Sequence, residues 1–481
     1  MALFSRGYFN IQVTSLSTKD LRRLYHHQSS ETLSQCSNMS TTDADPLQYE
    51  QQVYASGLHS SRPPFTFQTS EWENLAKPVL SGSAWGYIHG NAGAGSTYTK
   101  NLESFSKYSI VPRRLVPSLK DSQGNELFSN ASTTVLGEKL NFPIACAPVG
   151  VQKIFNAAGE NAASRAAASI GVPYILSTAS STSIEDVAKA SGEGGRDGSS
   201  FTGLHVSTTT SQSPCSIVRR RQAIPRCSSR WIPLSLAGDR RIWSKFYCRL
   251  LSTSSTQITG FNSNGYNPFL HADRIGVEIG FTDPVFRAKF KEEHGYDIEE
   301  DAKTHPTDIE GGSLSKAAQE WTKVVFPGHS KSWDDIKFLQ EHWDGTIVLK
   351  GIQSVADAKK AVEVGVQGIV VSNHGGRQHD GGVPSLAMLP RIVDAVGEKI
   401  DVLFDSGVRC GADVLKAVAL GAKCVLVGRP YIYGLALGGE EGVRHVLRAL
   451  CGEIVMGMHL AGLRTLGDVD RDILVRDVDL F

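Results

Sequence analysis

The 481-residue sequence lacks the features that mark several common classes of protein. Its 49 Lys and Arg residues balance 49 Asp and Glu residues, so no overall charge favours a nucleic acid or a membrane surface as a partner. No apolar run reaches the roughly 18 residues that span a bilayer. No GxGxxG turn follows a strand-like segment, as a dinucleotide-binding domain requires. These absences favour a soluble protein that acts on a small neutral or anionic molecule.

The eight cysteines form no CxxC pair and no regular spacing with histidines. This argues against a zinc site and against a secreted disulfide framework, so we expect reduced thiols, no bound metal and a cytoplasmic location. The first 23 residues are basic, with Arg6, Lys19, Arg22 and Arg23 against Asp20, which leaves a mitochondrial presequence as the alternative. They lack a clean amphipathic face, and Met39 could be the true start.

The order of apolar and helical segments predicts an α/β fold. Residues 1–78 are rich in Ser, Thr, Gln and His without regular periodicity, so we interpret them as an N-terminal helical arm or a disordered tail. From Asn141 onward, short apolar runs alternate with helical segments, which is typical of βαβ units and a parallel sheet. The six readable strands are Phe142–Ala147, Pro173–Ser177, Thr346–Lys350, Gly368–Ser372, Val402–Asp405 and Cys424–Gly428.

An internal repeat narrows the fold class to a barrel. Residues Ala356, Asp357, Lys360, Ala361, Val362 and Gly365 recur with the same spacing as Ala412, Asp413, Lys416, Ala417, Val418 and Gly421. Each copy predicts a helix, a glycine turn and a strand, as successive units of a (β/α)8 TIM barrel would have. We place the barrel in residues 79–475, and its two missing strands should lie between Ser177 and Thr346.

Two segments interrupt the barrel pattern. Residues 281–333 are polar and are interpreted as a long lid insertion that ends in a helix starting near Ser332. Residues 194–262 are rich in Ser and Arg and contain no Glu. Their run Arg219, Arg220 and Arg221 could bind nucleic acid, but no aromatic interleaving or known module supports this. We expect this anomalous segment to be irregular and the third and fourth barrel units to be disrupted.

The most specific motif is Ser372-Asn373-His374-Gly375-Gly376-Arg377, which stands where a predicted strand ends. The carboxyl ends of barrel strands are where active sites lie. His374 could take a proton there while the guanidinium of Arg377 binds a carboxylate with two hydrogen bonds. The alternative is a capped turn with a solvated arginine.

Two later strand ends favour a phosphate site. Asp405-Ser406-Gly407-Val408-Arg409 and Gly428-Arg429 close the last two strands, where this fold recurrently binds phosphate. Lys350, at the end of another apolar strand, would point toward the same end of the barrel. The combination predicts a phosphorylated cofactor, although glycine at either turn alone is common.

These motifs, together with Tyr87, Pro148-Val149-Gly150 and Leu176-Ser177, resemble the FMN-dependent 2-hydroxy acid dehydrogenases, most closely the fungal lactate 2-monooxygenase-like members. The resemblance covers about residues 80–193 and 263–475. It implies FMN as cofactor, a 2-hydroxy acid and oxygen as partners, and a homotetramer. It makes His374 the catalytic base at the carbon that bears the 2-hydroxyl, and places Tyr87 and Arg377 on the substrate carboxylate. The implied FMN contacts are Pro148, Val149, Gly150, Ser177, Lys350, Ser372, Asp405, Ser406, Gly407, Arg409, Gly428 and Arg429.

The resemblance leaves the outcome of the reaction and the activity of this chain open. Glycine at position 150, where the oxidases more often carry alanine, together with the long insertion before Trp333, is more like lactate 2-monooxygenase, although the glycine could simply fit the turn. The family's third and fourth strands, including the carboxylate that orients the histidine, are not recognisable in residues 194–262. Two hypotheses follow: an active enzyme that oxidises a lactate-like L-2-hydroxy acid to the 2-keto acid, and an inactive pseudoenzyme or mis-spliced product.

Overall fold

The computed structural model describes residues 46–58, 62–177, 179–194, 202–205, 278, 280–281, 284–304, 312–325, 332–342 and 345–480. All of them belong to one compact unit, Pro46–Phe481. The helices are α1 (Pro46–Gly57), α2 (Trp72–Ala76), α3 (Gly82–His89), α4 (Ser96–Ser106), α5 (Gly159–Ile170), α6 (Ile184–Gly194), α7 (Pro284–His294), α8 (Ile298–Thr304), α9 (Ser313–Val325), α10 (Asp334–His342), α11 (Val355–Glu363), α12 (Ser385–Val396), α13 (Gly411–Ala419) and α14 (Arg429–Leu460). The strands are β1 (Tyr108–Ile110), β2 (Leu119–Lys120), β3 (Glu126–Leu127), β4 (Thr133–Val135), β5 (Glu138–Leu140), β6 (Ile144–Cys146), β7 (Tyr174–Ser177), β8 (Thr202–His205), β9 (Val348–Ile352), β10 (Gly368–Val371), β11 (Asp401–Phe404), β12 (Cys424–Val427) and β13 (Leu474–Arg476).

Among the described residues, seven parallel strands form the central sheet in the order β8-β7-β6-β12-β11-β10-β9. Helices follow the strands in the chain, as in a (β/α) barrel. Every residue of β6, β7, β10 and β12 is buried, which explains why these strands are continuous apolar runs without alternation. The predicted TIM barrel class is therefore confirmed.

Successive side chains along each strand face alternately the barrel interior and the surrounding helices. Ala145, Leu403 and Leu426 pack in one cluster with Val135 and residues near it, while their neighbours in sequence join the larger cluster under the helices. The hairpin β4–β5 supplies Val135 and Leu140 to the inner cluster, and the N–H of Leu136 donates to the Asp401 carboxylate at the start of β11. The hairpin thus plugs the amino end of the barrel.

The six strands predicted from the sequence are all present, with ends shifted by up to two residues. Both copies of the repeat form a helix, α11 and α13, followed by a glycine with positive φ and then a strand. The helix predicted near Ser332 begins at Asp334, where Ser332 and Asp335 hydrogen-bond to each other.

The prediction that the third barrel strand is missing is wrong. Residues Thr202–His205 form β8 and pair in parallel with all four residues of β7. A strand at a sheet edge can be fixed by backbone hydrogen bonds to its neighbour, even where the sequence has little apolar pattern. The predicted loss of the fourth strand, and the run Arg219–Arg221, lie outside the described residues.

Two peripheral parts of the chain also have regular structure. Within the predicted arm, α1 and α2 pack on α14, where Tyr49 hydrogen-bonds His445 at 2.6 Å between Oη and Nδ1. The predicted lid contains α7, α8 and α9, joined by an edge-to-face contact of Phe286 with Trp321 and by the Arg287–Asp297 ion pair. No helix among the described residues is long and apolar enough to cross a membrane.

Candidate active site

Three predicted site residues meet at the carboxyl ends of adjacent strands. The ammonium of Lys350, on β9, lies 2.7 Å from the carboxylate of Asp405 and 2.9 Å from the hydroxyl of Ser372. The Lys350 and Asp405 side chains are only 7% and 8% exposed. A buried ion pair loses much hydration energy, so it persists only where further hydrogen bonds complete it. Ser372 and Ser406 provide these bonds, and the group forms one rigid polar cluster at the rim.

The turn after β11 is linked to the turn that carries the histidine. The hydroxyl of Ser406 donates to Asp405 at 2.8 Å and accepts from the backbone N–H groups of Gly375 at 3.0 Å and Asn373 at 3.3 Å. Ser406 has φ of 91°, a conformation that a residue with a side chain rarely adopts. These contacts offset that strain and fix the two turns relative to each other.

His374 begins a single helical turn, His374–Gly376, with φ of 58°. Its backbone N–H donates to the Ser372 hydroxyl at 3.0 Å, and the Asn373 side chain accepts from Gly376 at 3.0 Å. Asn373 also forms a double amide pair with Asn101 of α4, with both distances 2.8 Å. The half-buried imidazole is therefore carried by a backbone that Ser372 holds on one side and that Asn101 holds, through Asn373, on the other.

The two residues predicted to bind the substrate carboxylate lie together. The guanidinium of Arg377 stands over the ring of Tyr87 at 5.0 Å and donates to the backbone carbonyls of Tyr87 and, at 3.1 Å, Gly90. Burial raises the pKa of Tyr87, an effect that the Arg377 charge opposes, and burial lowers the pKa of Arg377. The phenol of Tyr87 is consequently a protonated hydrogen-bond donor at neutral pH.

The predicted phosphate site is a cluster of arginines. Arg429 is buried and donates to Ile88 O at 2.9 Å and Gly375 O at 3.1 Å. Its guanidinium and that of Arg409 lie 4.9 Å and 5.9 Å from the ring centre of Tyr98. Burial, and then the charges of Arg377 and Arg409, lower the pKa of Arg429 to about 10. Such concentrated positive charge is suited to an anion.

Arg429 also begins helix α14, directly after Gly428. A helix N-terminus directs backbone N–H groups and the positive end of its dipole toward any anion bound there. A Cβ at Gly428 would be 3.7 Å from the nearest side-chain atom, an ordinary contact. At Gly407, a Cβ would lie 2.6 Å from the carbonyl of Asn101, so the approach of α4 requires this glycine.

The loop after β6 contains Pro148, Val149 and Gly150, and packs on the loop after β7, the strand that ends at Ser177. A Cβ at Gly150 would lie 2.7 Å from the Cβ of Ala179 and 2.9 Å from its carbonyl oxygen, so glycine is required by this close approach. The Ser177 hydroxyl accepts from the N–H of Ala179 at 3.2 Å. The structure thus gives Gly150 a packing role whatever the outcome of the reaction.

Sequence reasoning did not find several residues that shape the site. Tyr98 and Asn101 belong to α4, and Glu160 belongs to α5, helices that reach the rim from elsewhere in the chain. Glu73 lies 3.9 Å from Arg409 and accepts a hydrogen bond from Tyr433 at 3.0 Å. No motif marks any of these residues, since each is a common residue type in a helical segment.

Known proteins resemble this chain over most of its length. A family model for FMN-dependent dehydrogenases matches residues 76–224 and 281–476. An FMN-dependent alpha-hydroxy acid dehydrogenase of Schizosaccharomyces pombe is 50% identical over 440 residues, which cover 90% of this chain and 97% of that protein. An L-lactate oxidase of Nostoc is 34% identical over 418 residues, which cover 84% and 96%. A solved mandelate oxidase with (S)-4-hydroxymandelic acid aligns with TM-score 0.61 and 28% identity, over 85% of this chain and 98% of that one.

The family match differs in extent from the resemblance found in the sequence. We expected the resemblance to stop at residue 193 and to resume at residue 263, whereas the match runs to residue 224 and resumes at residue 281. The first part of the anomalous segment, including β8, therefore falls within the match. Between its two matched parts, the family model does not cover residues 225–280.

Proposed function

The chain belongs to the family of FMN-dependent alpha-hydroxy acid dehydrogenases and is an FMN-using oxidoreductase, and from this premise we propose that it oxidises a lactate-like L-2-hydroxy acid to the 2-keto acid. Oxygen is the proposed electron acceptor. L-lactate oxidases of Nostoc and of Lysinibacillus sphaericus, 34% and 33% identical to this chain, support the substrate and the acceptor.

The donors at the rim fit FMN chemically. A phosphate dianion would neutralise the charges of Arg409, in the turn before α13, and of Arg429, at the start of α14. Lys350 offers a buried cation, which favours an anionic reduced flavin ring nearby. Pro148 to Gly150, Ser177, Ser372 and the turn Asp405–Gly407 supply the remaining proposed contacts. When bound, FMN supplies the two-electron acceptor for the carbon that bears the hydroxyl.

The observation that carries the proposal is the Tyr87–Arg377 pair beside the His374 turn. A cationic guanidinium and a neutral phenol O–H together recognise a carboxylate. Next to them, His374 is proposed to take the proton from the carbon that bears the hydroxyl. The rigid mounting of His374 on Ser372, Asn373 and Ser406 would hold the imidazole in position while the substrate binds.

The experiment is a substrate screen with the purified, FMN-loaded protein. Anaerobic addition of L-lactate should bleach the visible flavin absorbance, and D-lactate should not. Readmission of oxygen should restore the colour and yield pyruvate with hydrogen peroxide. Failure of all small L-2-hydroxy acids to bleach the bound flavin would refute the proposal.

Oxidative decarboxylation is the second outcome to distinguish. Its sequence support was Gly150 together with the long insertion before Trp333, and that glycine has a packing reason of its own against Ala179. We therefore favour the oxidase outcome. Acetate and carbon dioxide in place of pyruvate and peroxide would instead identify a monooxygenase.

The competing hypothesis of an inactive chain is supported by residues 225–280, which the family match does not cover. The discriminating comparison is this chain beside a variant in which residues 225–280 are replaced by the corresponding segment of the Schizosaccharomyces pombe relative. If only the variant binds FMN and oxidises a 2-hydroxy acid, the chain as written is inactive.

The proposed assembly is a homotetramer, by resemblance to the family, and light scattering on the eluted protein measures it. The proposed location is the cytoplasm. It is supported by Cys146, Cys410, Cys424 and Cys451, which are the cysteines within the described ranges and are all free. Microscopy of the tagged full-length chain would distinguish it from a mitochondrial location.

A further inference from the structure

One buried carboxylate beside the site has no part in the proposed chemistry. Glu160, the second residue of α5, is 0% exposed. Its Oε1 accepts from the backbone N–H groups of Gln152 at 3.0 Å and Ser181 at 2.9 Å. Its Oε2 accepts from the hydroxyls of Ser181 and Thr182, both at 2.8 Å. Burying a charge is costly, so a group with four dedicated donors calls for an explanation.

The four contacts of Glu160 suit a carboxylate. Each of its two oxygens accepts two hydrogen bonds, which matches a side chain that only accepts. The group also lies in the first turn of α5, where the helix dipole stabilises negative charge. These four partners are all neutral, so the negative charge is solvated without being cancelled.

The four donors come from the two loops that carry predicted flavin contacts. Gln152 follows Gly150 in the loop after β6, and Ser181 and Thr182 follow Ser177 in the loop after β7. The loops also bond directly, from the N–H of Val151 to Ala179 O at 2.8 Å. Glu160 therefore clamps the two loops at the position where Gly150 packs on Ala179.

The charge of Glu160 acts on Tyr87 in the proposed substrate site. Burial raises the pKa of Tyr87, the Arg377 charge lowers it, and the Glu160 charge raises it further. The same carboxylate also raises the pKa of the buried Tyr174 and Tyr431, although burial is the larger cause at both. Charge that reaches Tyr87 through a low-dielectric interior would also act on a flavin between these loops.

We propose that Glu160 is a positioning residue that fixes the spacing of the two flavin-binding loops and whose buried negative charge lowers the reduction potential of the bound flavin. The proposal rests on the proposed flavin site. Reduction adds electrons to the flavin, so a fixed negative charge nearby makes the reduced form less stable. Loop spacing and charge are separable properties of the side chain.

Glu160→Gln removes the charge and keeps the shape. The amide oxygen can still accept from the two backbone N–H groups, and the amide NH₂ can donate to the hydroxyls of Ser181 and Thr182, which rotate to accept. We expect FMN to remain bound and its potential to become more positive. Relative binding of reduced over oxidised FMN should increase roughly tenfold, equal to about 30 mV for a two-electron couple.

Glu160→Asp keeps the charge and shortens the side chain by one methylene, so it cannot reach both loops. We expect a weaker FMN affinity, measured by recovery of free-flavin fluorescence, with a potential near that of the unaltered protein. The matched control is Glu440→Gln, since Glu440 binds Arg165 on the outer side of the same helix at 2.8 Å. It should change neither quantity.

Each outcome decides a part of the proposal. An unchanged reduction potential in Glu160→Gln overturns the electrostatic role, even if the thermal stability of that variant falls. A potential shift of equal size in Glu440→Gln overturns the assignment of the effect to Glu160. If Glu160→Gln does not fold, an unchanged FMN affinity in Glu160→Asp still overturns the clamp. Because neither measurement uses a substrate, a protein that binds FMN but oxidises no 2-hydroxy acid refutes the proposed function alone.

Discussion

Removing one partner of the buried Lys350–Asp405 pair should destabilise the protein far more than removing an exposed pair. Lys350→Met leaves the Asp405 carboxylate, 8% exposed, with Ser406 as its remaining hydrogen-bond donor from the cluster. A buried charge that loses its counter-ion costs about 3–5 kcal/mol of unfolding free energy. We therefore expect Lys350→Met to lower the free energy of unfolding by about that amount.

The double variant Lys350→Met with Asp405→Asn tests the physical cause. It has no unpaired charge, so it should recover at least about 2 kcal/mol relative to Lys350→Met alone.

Urea unfolding of the three proteins followed by circular dichroism measures these differences. The control is Lys423→Met, because Lys423 and Asp401 form a partly exposed pair at 3.3 Å at the opposite end of β11, with side chains 48% and 20% exposed. That change should cost less than about 1 kcal/mol. A loss in Lys350→Met no larger than the control, or a double variant less stable than Lys350→Met, would show that the pair is not held as described.

Three further changes test the site. His374→Ala should abolish bleaching of the bound flavin by any L-2-hydroxy acid without releasing FMN, because the base acts only in the chemical step; retained bleaching would remove His374 from its role. Arg377→Lys should mainly raise the KM, at a cost of roughly 2 kcal/mol, since lysine cannot form two parallel hydrogen bonds to a carboxylate; steady-state kinetics with an unchanged KM would contradict this. Gly150→Ala should lower the unfolding free energy by about 1–3 kcal/mol, because its Cβ would lie 2.7 Å from that of Ala179. Adding Ala179→Gly should restore part of that loss, because the collision with the carbonyl oxygen of residue 179 at 2.9 Å remains; no restoration would show that the contact between the two Cβ atoms is not a cause.

Strands β6, β7, β10 and β12 could be predicted because each is buried on both faces. A strand such as Cys424–Val427 must then be apolar throughout, and its end is marked by the Gly428 turn. Strand β8 could not be predicted in the same way. Its sequence, Thr202 to His205, has a single large apolar residue, and its pairing with β7 depends on tertiary context.

In the candidate site, residues at strand ends could be predicted from the sequence and residues on helices could not. Lys350, Ser372 and Asp405 could be placed together from sequence, because the carboxyl ends of neighbouring parallel strands share one rim. Asn101 and Glu160 could not, since helices deliver them to the rim and only the packing of those helices shows what they contact. The roles predicted for His374, Arg377 and the flavin contacts stay predictions.

The order of the central sheet also constrains how this protein can be synthesised. Strand β6 is the first barrel strand to leave the ribosome, yet one of its two neighbours is β12, whose Val425 pairs with Ile144 about 280 residues later in the chain. Until β12 is translated, one edge of β6 has no partner, and unpaired strand edges promote aggregation of nascent chains. Slower growth at lower temperature, or a chaperone that shields this edge, should therefore raise the yield of folded protein more than a stronger promoter does.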